Sequence, residues 1–411
     1  YYIDENGTRH DVTATVLTGN ESYIGTSNQT KWYVVNSNIN YSSSFVCYGN
    51  VNIILADNKT MTVNSSTIIA EDLTIYGQSE QSGSLNVPTP PSSANNAIYC
   101  FPGSFIINGG TVNANAYGSM NAIYCFPGNF IINRGTVYAT NTSTSTGSGI
   151  HAKYVTINGG NVTANGKDGI FAYDITLGWR EATDHVYANS YSGTVKVKDG
   201  QAFKDNSGNI YVGTLDKNQI NGKNLTPATQ TEYIQYCLGT GNDGSAEHPY
   251  TISDANGWIA FCLALDDNTT YNHFIGKTVK LGANITVSRM AGSRGSQNYH
   301  PFCGTFDGNH KTITFNKGTA NSPESDHSAL FAATEANDQF TGSNETVVVI
   351  KDLTVDGTIY TSSDCAAGLV GSASVRLTIT GCQSNITIHT SSHYAAGFVS
   401  SSSGILNITI V

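Results

Sequence analysis

Apolar residues in this chain come in runs of three to five, set among polar residues and broken by Gly-Gly, Pro-Gly or Asn-Gly turns. That pattern predicts short β-strands. Over most of the length no helical period interrupts it.

The runs repeat. Ala-Ile-Tyr-Cys-Phe-Pro-Gly at 97–103 recurs at 122–128, and Phe-Ile-Ile-Asn-Gly-Gly-Thr-Val at 105–112 recurs at 130–137 with Arg134 replacing one glycine. The offset is 25 residues, and it continues into Ile-Asn-Gly-Gly-Asn-Val at 157–162. Fainter copies at 68–75, 150–157 and 170–177 superpose without gaps, and 45–54 aligns with the cysteine-bearing copies. Repeat starts therefore fall near 45, 68, 98, 123, 150 and 170. At about 3.3 Å of rise per strand residue, each unit makes one coil of two or three short strands. A single coil cannot bury its apolar side, whereas stacked coils share a continuous core. The uneven spacing suits a β-helix, whose loops bulge at the corners, better than a propeller.

The chain is expected to be all-β: two right-handed parallel β-helix (β-solenoid) domains with short antiparallel hairpin caps and one short capping helix. Residues 1–190 form the first β-helix, with repeats from about 45. Residues 191–220, with alternation around Asp-Gly and Ser-Gly, predict a β-hairpin cap. Residues 221–248, rich in Gly, Thr, Asn and Gln, read as a linker. Residues 249–411 form the second β-helix, opened by a helix capped at Ser253-Asp254 and running to about Leu265. There Thr-Ile-Tyr-Thr-Ser-Ser-Asp-Cys-Ala-Ala-Gly-Leu-Val at 358–370 returns at 387–399 as Thr-Ile-His-Thr-Ser-Ser-His-Tyr-Ala-Ala-Gly-Phe-Val, an offset of 29. Val411 falls inside a unit, so the protein is expected to continue beyond it.

Composition narrows the partners. Charged residues make up only 12% of the 411, and the net charge is −10. No basic stripe exists to replace counterions on a nucleic acid, and Lys196, Lys198, Arg9 and His10 read as solvated positions. No apolar run approaches the ~20 residues of a membrane span. The start at Tyr1, without Met or a signal segment, reads as a mature or trimmed chain. A monomer is expected.

The cysteines follow the repeat. Cys47, Cys100 and Cys125 occupy the position held by Ala70, Ala152 and Ala172 in other copies. A site that alternates Cys with Ala calls for a small buried group, so stacked free thiols are expected there in preference to bridges. Cys262 and Cys303 are candidates to pair, and the state of Cys237, Cys365 and Cys382 stays open. There is no Cys-x-x-Cys, and His389 and His393 lie in a strand-like segment, so neither a metal site nor a cofactor is expected.

Strand alternation points to a surface feature. If Ile98 and Cys100 face inward, Tyr99 and Phe101 face outward, as do Tyr124 and Phe126, Phe171 and Tyr173, and Val46 and Tyr48, with His151 and Lys153 between them. Either residues 1–44 or the terminal hairpins cover this stripe, or it is a binding face for sugars or a partner protein. Acids for catalysis are sparse. Asp72 and Asp174 share a column with Tyr154, several coils apart, and Asp307 and Asp326 remain, Asp307 in a Phe-Asp-Gly-Asn turn. Gly276-Lys277-Thr278 lacks the first glycine of a phosphate loop, since Tyr271 stands there.

Ala-Ala-Gly-Leu-Val-Gly at 366–371 and Ala-Ala-Gly-Phe-Val at 395–399, downstream of Phe-Cys-Gly-Thr-Phe-Asp-Gly-Asn at 302–309, resemble the GLUG-type repeats of bacterial surface proteins; Ser400 replaces the final glycine of the second copy. Asp-Leu-Thr-Ile-Tyr-Gly at 72–77, with Ile-Asn-Gly-Gly-Thr-Val at 107–112, resembles large secreted repeat proteins of gut anaerobes. The resemblance covers most of 45–190 and 245–411. It implies a secreted or cell-surface protein for adhesion, or for contact with host or dietary glycans or a surface protein, and it carries no catalytic residues. The alternatives are a polysaccharide lyase or glycoside hydrolase on the same scaffold, and a passive spacer.

Overall fold

In a computed structural model, the 25-residue offset reappears as strand register. Ile98 lies beside Ile123, and Phe105 beside Phe130, in parallel strands. The structure describes residues 1–64, 67–92, 95–267, 269–294, 299–325, 327–334, 347–363, 365–374, 376–391, 394–403 and 405–409. Asp326 and His393 lie outside the described residues. The chain divides into two compact units, Tyr1–Thr229 and Gln230–Val411.

In the first unit, strands alternate between two large sheets. The longer sheet runs Tyr23–Val35, Phe45–Leu55, Ile68–Gly77, then Ile98–Cys100 with Phe105–Ile107, then Ile123–Ile132, Ser148–Ile157, Asp168–Leu177 and Tyr191–Val197, all in parallel. The second sheet takes the intervening strands Ile39–Tyr41, Thr60–Val63, Ser84–Pro88, Thr111–Ala116, Thr136–Asn141, Asn161–Asn165 and His185–Ala188, also in parallel. Inward residues of both sheets meet in one core. Phe105, Ile107, Phe130 and Ile132 belong to it from one side, and Val112, Ala114 and Val137 from the other. Strand alternation sets this burial, as in Thr111–Ala116, where every second residue is buried.

The turns between sheets are tied by stacked asparagines. Asn133 Nδ2 donates to Asn108 Oδ1 at 2.7 Å, and Asn158 Nδ2 donates to Asn133 Oδ1 at 2.8 Å. Each amide thereby satisfies the next, at the position where the Ile-Asn-Gly/Arg-Gly repeat places it.

The expected hairpin cap starts later than the sequence suggested. Tyr191–Val197 adds one more parallel strand, because Tyr191, Val195 and Val197 continue the buried column of the sheet. Antiparallel pairing begins after it, between Phe203–Lys204 and Ile210–Tyr211, and where Thr214–Leu215 and Asn224–Pro227 close the two sheets. The turn at Asp205 is held by a network around its buried carboxylate. Its carboxylate accepts from Lys223 Nζ at 2.6 Å, Tyr211 Oη at 2.9 Å and Asn209 Nδ2 at 3.0 Å, which holds the acid well below its usual range.

Residues 221–248, read as a linker, are structured. They contain the strand Asn224–Pro227 and the helix Gln230–Cys237. Leu225, Ala228, Tyr233, Ile234 and Leu238 are buried, so the polar composition conceals an inward face. The helix at 255 is likewise not alone: two other α-helices, Lys217–Ile220 and Gln230–Cys237, stand among the described residues.

In the second unit, parallel strands Tyr250–Ile252, Thr278–Leu281, Thr305–Lys317, Val348–Thr361, Leu377–Thr380 and Leu406–Thr409 form the main sheet. The 29-residue offset pairs Thr358 with Thr387, Ala366 with Ala395 and Val370 with Val399. The helix Ala255–Asp266 begins at Asp254, whose side chain accepts from Gly257 N at 2.8 Å. It buries Trp258 and Phe261 against Phe302, Phe306 and Phe331. No helix among the described residues is long and apolar enough to cross a membrane.

Candidate functional site

The outward side chains of the longer sheet meet in a ladder of rings. Register places Ile69, Tyr99, Tyr124, His151 and Phe171 in one column across consecutive strands. Tyr99 and Tyr124 stack with centroids 5.4 Å apart and planes 5° apart. Tyr124 to His151 is 5.0 Å, and His151 to Phe171 is 4.5 Å. A second column joins it: Phe101 stacks on Tyr99 at 6.1 Å, while Phe126 contacts His151 at 5.8 Å and Tyr173 at 5.9 Å. All six aromatic residues singled out in the sequence, Tyr99, Phe101, Tyr124, Phe126, Phe171 and Tyr173, thus belong to one connected surface.

Neither segment that could have covered this surface does so. The N-terminal hairpin packs elsewhere on the sheet, where Tyr2 lies 4.7 Å from Trp32 and 4.6 Å from Tyr76. The antiparallel strands lie beyond the last parallel one. Tyr99, Tyr124, Phe126 and Phe171 stay half-buried by their neighbours, and Phe101 and Tyr173 are 50% and 55% exposed. His151, wedged among Tyr124, Phe126 and Phe171, has its pKa lowered by burial, against a smaller opposing effect of the Asp168 carboxylate. At neutral pH it acts as one more aromatic rung. Lys153 reaches over the ring of Tyr154 at 5.1 Å.

One aromatic pair escaped the sequence pattern. Tyr23 lies beside Val46 and contacts Tyr48 at 6.1 Å, and the strand that carries Ile69 separates this pair from Tyr99. The inward neighbour of Tyr23 is Ile24, not Cys or Ala, so the repeat alignment missed it. The alternation of Tyr23 with buried Ile24 was the available signal.

Beneath the ladder runs the small-residue column. Cys47, Ala70, Cys100, Cys125, Ala152 and Ala172 are all buried. Register pairs Cys47 with Ala70, Ala70 with Cys100, and Cys125 with Ala152. The three thiols are free, and burial pushes those of Cys47 and Cys125 well above the usual range. All three are therefore expected to resist a thiol reagent in the native protein and to react only after unfolding. A native-state titration consuming any of them would contradict this packing. Cys262 and Cys303, the candidate pair, are also free: Cys262 Sγ donates to Met290 O, and Cys303 Sγ to Pro301 O. Cys237 and Cys382 are free as well.

Among the described residues, the candidate acids do not converge. Asp72 Oδ1 accepts from Ser104 N at 2.7 Å. Three strand positions lie between Asp72 and Asp174 in the sheet, which puts them roughly 19 Å apart, about twice the span of a glycosidase pair. Asp307 is held by Lys351 at 3.1 Å and accepts from Asn309 N at 2.8 Å. Among the described residues, no three His, Cys, Asp or Glu side chains are grouped to hold a metal. His389 instead stacks on Tyr360 at 4.4 Å. No protein family, curated protein or solved structure matches the chain.

Proposed function

We propose that this chain is a secreted or cell-surface adhesion protein. Its two units are right-handed parallel β-helices, and the aromatic face of the first holds a glycan. The observation that carries this reading is the unbroken set of ring contacts from Phe101 through Tyr99, Tyr124 and His151 to Phe171, a half-buried ladder with Phe101 and Tyr173 exposed on it. Contiguous exposed apolar surface on a stable scaffold marks interaction sites. The rungs spend their faces on one another, but Phe101 and Tyr173 keep ring surface for the C–H face of a sugar. The hydroxyls of Tyr99 and Tyr124 can exchange hydrogen bonds with those of the ligand. Low charge and the likeness of the Ala-Ala-Gly-Leu-Val-Gly segment to surface-protein repeats support the exported setting. Strands that wind from one parallel sheet to the other support the β-helix.

A glycan array probed with the intact chain tests the reading. Binding to at least one host or plant glycan is expected, with a loss of about tenfold or more in a Phe101→Ala/Tyr173→Ala double variant. Absence of binding across the array would favour a passive spacer, and undiminished binding by the double variant would remove the aromatic face from the account.

A further inference from the structure

Three successive turns between the two large sheets of the first unit carry Gly109, Arg134 and Gly159 at equivalent repeat positions. Arginine thus replaces glycine in one copy only. A cavity of about 190 Å³ opens over these turns, and its walls include Asn133, Arg134, Asn161, Arg180, Glu181 and Asp184. The neighbouring glycine makes room for the second cation: a Cβ on Gly159 would stand 2.9 Å from Cγ of Arg180.

The polar groups here are unevenly paired. Arg134 Nη2 lies 3.6 Å from Glu181 Oε1, a loose contact with a carboxylate whose side chain is mostly exposed. The Arg180 guanidinium has no ion pair among the described residues. Asp184 is buried and uses Oδ2 to accept from the backbone N–H of Arg180 at 2.8 Å and of Glu181 at 3.0 Å. It fixes the loop that presents Arg180. Asn161 Oδ1 is buried and has no hydrogen-bond partner among the described residues. Such an acceptor is costly to leave unmet; it is closed off from solvent as the side chain stands, and a turn of Asn161, which forms part of the cavity wall, would bring it to a ligand donor.

We propose that this cavity binds an acidic sugar, at a site separate from the aromatic face. Its carboxylate lies between the guanidinium groups of Arg134 and Arg180, which present planar paired donors to a carboxylate. A ring hydroxyl donates to Asn161 Oδ1 once that side chain turns into the cavity. Among the described residues no aromatic ring lines the cavity, so a purely apolar ligand gains nothing there.

Titration calorimetry of the intact chain with galacturonate, galactose and inorganic phosphate tests the assignment. Galacturonate is expected to bind, with galactose and phosphate each weaker by about tenfold or more. Arg134→Gly restores the residue of the adjacent copies and so keeps the turn; it is expected to lower galacturonate affinity about tenfold, as is Arg180→Ala. The Phe101→Ala/Tyr173→Ala variant is expected to bind galacturonate as the parent does, which separates this site from the aromatic face. The proposal is overturned if galacturonate does not bind, if galactose or phosphate matches it, or if Arg134→Gly leaves the affinity unchanged.

Discussion

Trp258→Ala is expected to destabilise the second unit by about 4 kcal/mol. Trp258 is fully buried one turn into the helix Ala255–Asp266. Its ring lies 5.4 Å from Phe261, 6.0 Å from Phe331 and 6.1 Å from Phe306, so truncation opens a cavity at the centre of an aromatic cluster. It also removes the bond from Nε1 to Arg289 O at 2.7 Å and leaves that carbonyl without its donor. The two losses separate in Trp258→Phe, which keeps most of the ring and is expected to cost about 1–2 kcal/mol. Denaturant unfolding read by hydrogen exchange provides the measurement. Protection should fall in Thr305–Lys317 and Val348–Thr361, while Phe45–Leu55, with its own core, is unaffected. A loss below about 2 kcal/mol for the alanine variant would mean the helix is an appendage and not part of the core.

That helix was legible in the sequence because Asp254 stands directly before an apolar run, and the structure uses it as the cap. The repeats were legible for a comparable reason. An offset of 25 residues sets which side chains neighbour each other in parallel strands, so Ile106 against Ile131 and Thr111 against Thr136 follow directly. Alternation then sorts inward Cys100 from outward Tyr99 and Phe101. Less could be read where identity between copies fades. Tyr191–Val197 extends the parallel sheet although its Lys196 and Gly193 look like hairpin residues, because only Tyr191, Val195 and Val197 decide which way the strand faces. In the helix Gln230–Cys237 only Tyr233 and Ile234 are buried, two residues inside a stretch whose composition resembles a linker. Whether the aromatic stripe is open depended on where residues 1–10 dock, which is a tertiary contact between Tyr2 and two rings more than 25 residues away. The arginine cavity shows the opposite case. Arg134 was visible as the one departure from glycine, but its meaning depends on Arg180 reaching back across the turns.

The Pro-Gly pairs of the repeat carry the second large effect. Gly128→Ala is expected to destabilise the first unit by about 3 kcal/mol, against about 1 kcal/mol for Gly118→Ala. Its Pro-Gly pair marks Gly128 as a turn glycine in the sequence, yet the two glycines differ in kind. Gly118 has φ +61° and open space around it, so alanine there meets only the torsional penalty. Gly128 has no left-handed φ, but a Cβ on it would collide with the carbonyl oxygen of Gly103 in the adjacent copy. Gly103 is in turn pressed against the strand before it, where a Cβ would collide with Glu71 O. Three successive repeat copies therefore pass backbone against backbone at this bend, and an added methyl must push them apart. The parallel register of Cys125 with Ala152 and of Asn129 with Tyr154 flanks the bend on both sides, so the displacement is expected to loosen paired strands as well as the loop. Phe126 lies two residues before Gly128, and Phe101 two before Gly103. The same substitution is accordingly expected to weaken glycan binding at the aromatic face, although it changes no ring. Equal denaturation midpoints for the Gly118 and Gly128 variants would show that close packing does not hold this bend. A destabilised Gly128→Ala that keeps full glycan affinity would separate the bend from the face it carries.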